Sequence, residues 1–87
     1  MNFETLIVFK KERFAIEREI DSGKYCVSFP VFNGIVEYSE YYEITDAEFS
    51  VFKVDLQFLQ QFVSRCKNRE EDQRLMGKSG PIRGEPC

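Results

Sequence analysis

The stretch GKYCVSFPVFNGIVEYSEYYEI, residues 23–44, decides how the chain folds. Asn33-Gly34 sits near its middle, between two runs whose apolar side chains recur at every second position. Asn-Gly is the strongest short hairpin signal, because both central residues of a type I′ turn need positive φ. Tyr25, Val27, Phe29 and Val31 fall on one face of the first run, and Val36, Tyr38, Tyr42 and Ile44 on one face of the second. A two-residue turn pairs Phe32 with Ile35 and puts both sets on the same side of the sheet.

The same period extends upstream. Phe3, Thr5, Ile7 and Phe9 form one set, and Phe14, Ile16, Arg18 and Ile20 another. Ser22-Gly23 pairs Asp21 with Lys24. Lys11-Glu12 pairs Lys10 with Arg13, although Lys-Glu is a poor turn and a longer loop suits it better. These registers together predict a four-stranded antiparallel meander over residues 2–44. Downstream, Thr45-Asp46-Ala47-Glu48 is a capping box. It opens one long helix over about 46–68 whose stripe is Phe49, Phe52, Leu56, Leu59, Val63 and Cys66. The expected fold is α+β, the C-terminal helix covering one face of the meander. Phe14, Ile16, Phe29, Tyr38, Phe52, Leu56 and Leu59 should be core. Residues 1–76 form a single domain, and 77–87, rich in Gly and Pro, read as a flexible tail.

Composition bounds the chemistry. At 87 residues only a thin core is available, which nine Phe and four Tyr reinforce. There is no His, and so no common general base for Ser or Cys nucleophiles. The three Cys have no metal-site spacing and read as reduced thiols. Met76-Gly77-Lys78-Ser79-Gly80 echoes a phosphate loop, but Asp72 stands where the motif needs its first glycine. No enzyme, cofactor or metal is expected. The longest apolar run, Leu6-Ile7-Val8-Phe9, is far too short for a membrane span, and no signal peptide is evident, so a cytoplasmic protein is expected.

Charge is unevenly spread. Residues 1–64 hold eleven acids and six bases, net −5; residues 65–87 hold four acids and six bases, net +2. The acidic part repels phosphate, which argues against a sheet that stacks RNA bases and against nucleic acid as a direct partner. The outer face of the meander should collect Glu4, Glu17, Glu19, Glu37 and Glu43 around Tyr41, with no base among them. Glu4, Glu19, Cys26 and Tyr41 make one row, and Val8, Ala15, Pro30 and Glu37 another. Single-sign charge around an aromatic ring suits a basic protein partner, giving Glu17, Glu19, Glu37, Tyr41 and Glu43 as the binding set. Arg18 and Glu40 fall on the core side and are expected to pair over Val27, or a bulge near Pro30 turns Glu40 outward. A second helical line, Val51, Val54, Phe58 and Phe62, needs a cover: a homodimer mate, a fold-back of Leu75-Met76, or a foreign protein.

The segment of residues 23–44, continued by CKNREEDQRLMGKSGPIRG over residues 66–84, resembles small cytoplasmic immunity proteins of bacterial contact-dependent growth inhibition and related polymorphic toxin systems. The resemblance implies a protein that binds and blocks a toxin domain delivered by neighbouring cells, often a nuclease acting on tRNA or DNA. A carboxylate-rich face would there imitate a nucleic-acid backbone. The rival expectation is a small dimeric adaptor unconnected with toxins.

Overall fold

The computed structural model describes residues 2–76 and 85–86. Strands β1 (Phe3–Phe9), β2 (Phe14–Glu19), β3 (Tyr25–Phe32) and β4 (Glu37–Ile44) form the antiparallel meander. Helices α1 (Asp46–Phe52) and α2 (Leu56–Lys67) follow, then a single 3-10 turn (Asp72–Arg74) and two short strands, β5 (Leu75–Met76) and β6 (Glu85–Pro86). The sheet order is β1-β2-β3-β4-β5, and β6 pairs β3. The expected α+β class stands, with the meander as its frame.

The extent of the sheet is corrected. Leu75 and Met76 do fold back, but they lengthen the sheet at the β4 edge, Leu75 opposite Tyr42 and Met76 opposite Tyr41, instead of covering a helix. The expected tail at 77–87 lies outside the described residues except for Glu85–Pro86, which form a strand pair with Phe32 and Val31.

The expected β1–β2 register holds over Ile7–Phe9 up to a bulge, and the other two are off by an even step. β3 and β4 pair as Phe32↔Glu37, and β2 and β3 as Arg18↔Tyr25. Both differ by two from the two-residue turns expected, so every side chain on β2, β3 and β4 keeps its face. At the β1–β2 and β2–β3 connections the loop has a common plan. Arg13 N–H donates to Phe9 O, and Gly23 N–H to Glu19 O, both at 2.8 Å. Arg13 and Gly23 occupy the same left-handed position, with φ of 62° and 74°. At the β3–β4 tip Gly34 has φ of 91°, and Asn33 supplies a side-chain acceptor where a second left-handed residue was expected.

In β1 the register slips between Thr5 and Ile7. The bulge at Leu6 turns Phe3 and Thr5 to the outer face and Glu4 to the inner one, the reverse of the expected alternation. Glu4 there meets Arg18 at 3.6 Å across the edge of the sheet. The expected Arg18–Glu40 pair is therefore not made, since Arg18 lies opposite Tyr25 and Glu40 opposite Phe29. Glu40 is buried and lies 3.1 Å from the Tyr42 hydroxyl.

The single long helix is also corrected. The capping box forms as expected, Glu48 N–H donating to Thr45 Oγ1 and Thr45 N–H to Glu48 Oε1. The helix then stops at Phe52, and Asp55 starts a second one by accepting the Phe58 N–H at 3.0 Å. This break resets the phase. Leu59, Phe62, Val63 and Cys66 become the buried stripe of α2, packing with Phe52 on Ile16, Val27, Phe29 and Tyr42. Phe14, Ile16, Phe29, Phe52 and Leu59 are buried as expected, Tyr38 is partly so, and Leu56 is exposed.

The segment after α2 is fastened by Arg74. Its guanidinium donates to Glu48 at 2.7 Å, to Glu71 at 2.9 Å and to the Glu43 carbonyl at 3.2 Å, while Arg65 holds the other Glu71 oxygen. Among the described residues, no helix is long and apolar enough to cross a membrane.

Candidate protein-binding surface

The outer face is built from rows that differ from those expected. One row runs Thr5, Glu17, Cys26, Glu43, and the next Val8, Ala15, Ser28, Tyr41. Over their centre the Phe3 ring lies on the Tyr41 ring, with centroids 3.9 Å apart and planes within 5°. Stacking of this kind restrains both rings. Cys26 and Ser28 are buried although they point away from the helices.

The five residues of the expected binding set separate into two groups. Glu17 and Glu19 are committed internally. Glu17 accepts hydrogen bonds from Thr5 and from the Ser28 hydroxyl. Glu19 is 5% exposed and accepts the Asp21 and Ser22 N–H groups, closing the β2–β3 loop. The Asp21 N–H holds the Glu19 carboxyl below the usual carboxylate range. Glu37, Tyr41 and Glu43 instead share the outer face of β4 at alternate positions, where a partner can reach them. Glu37 meets Arg13 at 3.6 Å and Glu43 meets Lys24 at 3.4 Å, so bases from the loops do approach this face. Exposed pairs of this length contribute about 0–1 kcal/mol each, and an incoming cation can displace them.

Beyond Ser28, β3 changes its neighbour on that edge: β2 pairs it only as far as Ser28, and β6 pairs it at Val31 and Phe32. Pro30 marks the point. Asn33 N–H donates to Val36 O across the hairpin, so alternation directs residues 28, 30 and 32 toward the β2 side. Pro30 has no N–H to continue that ladder. At the tip, Phe32, Ile35 and Val36 are exposed, Ile35 at 77%. A shallow depression of about 310 Å³ is lined by Val8, Phe14 and Pro30 with the bases Lys10 and Arg13. No carboxylate lines it, so it assembles no acid–base pair.

The second surface is the helix junction. Val51, Val54 and Phe58 are exposed as expected, but Phe62 is fully buried against Phe52, and Leu56 takes its place outside. The four exposed side chains present roughly 300–400 Å², whereas a standard interface needs about 800 Å² per partner.

Cys26 and Cys66 are both buried thiols, pushed up to about 12 chiefly by burial, which makes them poor nucleophiles. Among the described residues no group of His, Cys, Asp and Glu side chains could hold a metal ion. The sequence missed Phe3 because a one-residue bulge reverses its face. Set beside family models, curated proteins and solved structures, the chain matches none.

Proposed function

We propose that this chain is an immunity protein, which binds and holds inactive a toxin domain with a basic surface, of the nuclease class. The observation that carries this reading is the outer face of β4. Tyr41 is immobilised under Phe3, and the exposed carboxylates of Glu37 and Glu43 flank it on the same face. An aromatic anchor that loses no rotamer freedom on binding, ringed by carboxylates in loose pairs, suits a surface that otherwise holds phosphates. Glu17 and Glu19 support this face from within. The resemblance of residues 23–44 and 66–84 to immunity proteins points the same way.

The test is co-expression with the C-terminal domain encoded immediately upstream of this chain. Wild type should restore growth, and Glu37→Lys with Glu43→Lys should not, while the circular dichroism of the double variant stays native. Binding should weaken as salt rises, because rim carboxylates act mainly on association rate. Undiminished protection by the double variant would remove the β4 face from the reading.

A dimeric adaptor is the second reading, favoured by the exposed Val51, Val54, Leu56 and Phe58. Sedimentation at tens of micromolar separates the two. A stable dimer broken by Phe58→Glu favours the adaptor, and a monomer of 10.3 kDa removes it.

A further inference from the structure

We infer that the depression lined by Val8, Phe14 and Pro30 is a binding site for a small apolar monocarboxylate, held by Lys10 and Arg13. The site goes beyond the immunity reading and does not depend on it.

The depression lies where the sheet is interrupted. β2 pairs β3 only to Ser28, and β6 pairs it from Val31, so among the described residues no strand stands opposite β3 between them. Pro30 falls in that gap and has no N–H, so the gap leaves no donor of Pro30 unpaired. Val8, Phe14, Pro30 and Ser39 line a space of about 310 Å³ there. At about 30 Å³ per water this is room for about ten waters, which a ligand of about ten non-hydrogen atoms fills.

Charge fixes the class of ligand. Lys10 and Arg13 line the depression, and no carboxylate does. Glu37 meets Arg13 at 3.6 Å, and Lys10 makes no ion pair among the described residues. Two bases against one carboxylate leave a single net positive charge, which one further carboxylate balances and a doubly charged phosphate overshoots. The guanidinium adds geometry, since its fork matches the two oxygens of a carboxylate. A bound carboxylate therefore competes with Glu37 for Arg13.

Arg13 is also placed against local preference. It holds a left-handed φ of 62°, and the like loop after β2 puts Gly23 in that position. A residue with a Cβ is disfavoured there, and such outliers gather at functional sites.

The experiment titrates the purified chain with three probes that share one apolar body: phenylpropionate, phenylpropanol and phenylpropylammonium. Amide NMR shifts report binding. The carboxylate should bind with a dissociation constant of about 5 mM or below and shift the Val8, Ala15 and Ser39 amides together. It should bind at least about tenfold tighter than the ammonium, with the alcohol between them. Two substitutions should move its affinity in opposite directions. Arg13→Gly, which removes the cation and suits the left-handed φ, should weaken it about three- to fivefold. Glu37→Gln, which removes the competitor, should tighten it about twofold. Neither should alter binding of the alcohol. Ammonium binding equal to that of the carboxylate, shifts centred elsewhere, or no saturation by about 20 mM overturns the site. A Glu37→Gln variant that binds the carboxylate more weakly than wild type also overturns it.

Discussion

Phe3 and Tyr41 stack face to face at 3.9 Å although two strands, β2 and β3, lie between theirs in the sheet. Only a strongly curled outer face brings the two rings together, and only the bulge at Leu6 turns Phe3 to that face. Cys26 faces the same side one row away, fully buried, with its thiol pushed up to about 12, first by burial and next by Glu17. Phe3→Ala should therefore do two things at once. It should lower stability by about 1–3 kcal/mol, and it should speed alkylation of Cys26 at pH 8, read by mass spectrometry of the labelled peptide. Unchanged Cys26 labelling would show that the stack does not seal the face.

Arg13 and Gly23 offer a matched pair. Both hold the left-handed position of a like loop, one with a side chain and one without. Arg13→Gly should raise stability by up to about 1 kcal/mol, reduced by whatever the exposed pair with Glu37 contributes. Gly23→Ala should lower it by about 1 kcal/mol, and solely through the backbone, since a methyl there meets nothing within 4 Å. Urea denaturation of the two variants gives opposite shifts in midpoint. Shifts of the same sign would remove the conformational explanation.

These loops also show what the sequence could and could not convey. Alternation fixes faces because its period is two, so register errors of two residues on β2, β3 and β4 cost nothing. A bulge has no composition signal in Phe3-Glu4-Thr5-Leu6, and that single slip moved Phe3, Glu4 and Thr5 to the opposite faces. The acidic row was half legible. The positions of Glu37, Tyr41 and Glu43 followed from alternation, but Glu17 and Glu19 look like free carboxylates until Ser28 and the β2–β3 loop are in place.

Arg74 joins the segment after α2 to α1, and this sets an acid limit on stability. Burial pushes Glu48 and Glu71 up, yet hydrogen bonds and charge from Arg74, with Thr45 or Arg65, more than offset it and leave both below the usual carboxylate range. Carboxyls lowered on folding stabilise the protein above their unfolded value near 4.3, and the contribution disappears as pH falls through the folded value. Stability should accordingly drop as pH is taken from about 5 to below 4. Arg74→Ala should cost about 1–3 kcal/mol at pH 7 and flatten that drop, because the carboxyls return toward ordinary values. Parallel pH curves for wild type and variant would show that Arg74 is not the linked cation.

Leu56 and Phe62 exchange their expected places, and the cause is a single residue. On an unbroken helix Leu56 belongs with Phe52 and Leu59, while Phe62 belongs with Phe58 on the outside. Asp55 ends that continuity by accepting the Phe58 N–H, which starts α2 in its own phase. Asp before an apolar-periodic run is an N-cap signal, but Thr45-Asp46-Ala47-Glu48 had already supplied a start, and no Gly or Pro announced a stop between them. Phe62 is then free to pack on Phe52 with centroids 5.2 Å apart, while the guanidinium of Arg74 lies 5.2 Å from its own centroid. Phe62→Ala should cost about 3–5 kcal/mol and Leu56→Ala, at 39% exposure, less than about 1.5 kcal/mol. Asp55→Ala should cost about 0.5–2 kcal/mol through the lost cap. Thermal unfolding of the three variants checks the order. A Leu56→Ala variant as damaged as Phe62→Ala would mean that the helix runs through residue 55 in solution and that the original stripe, not the broken one, faces the sheet.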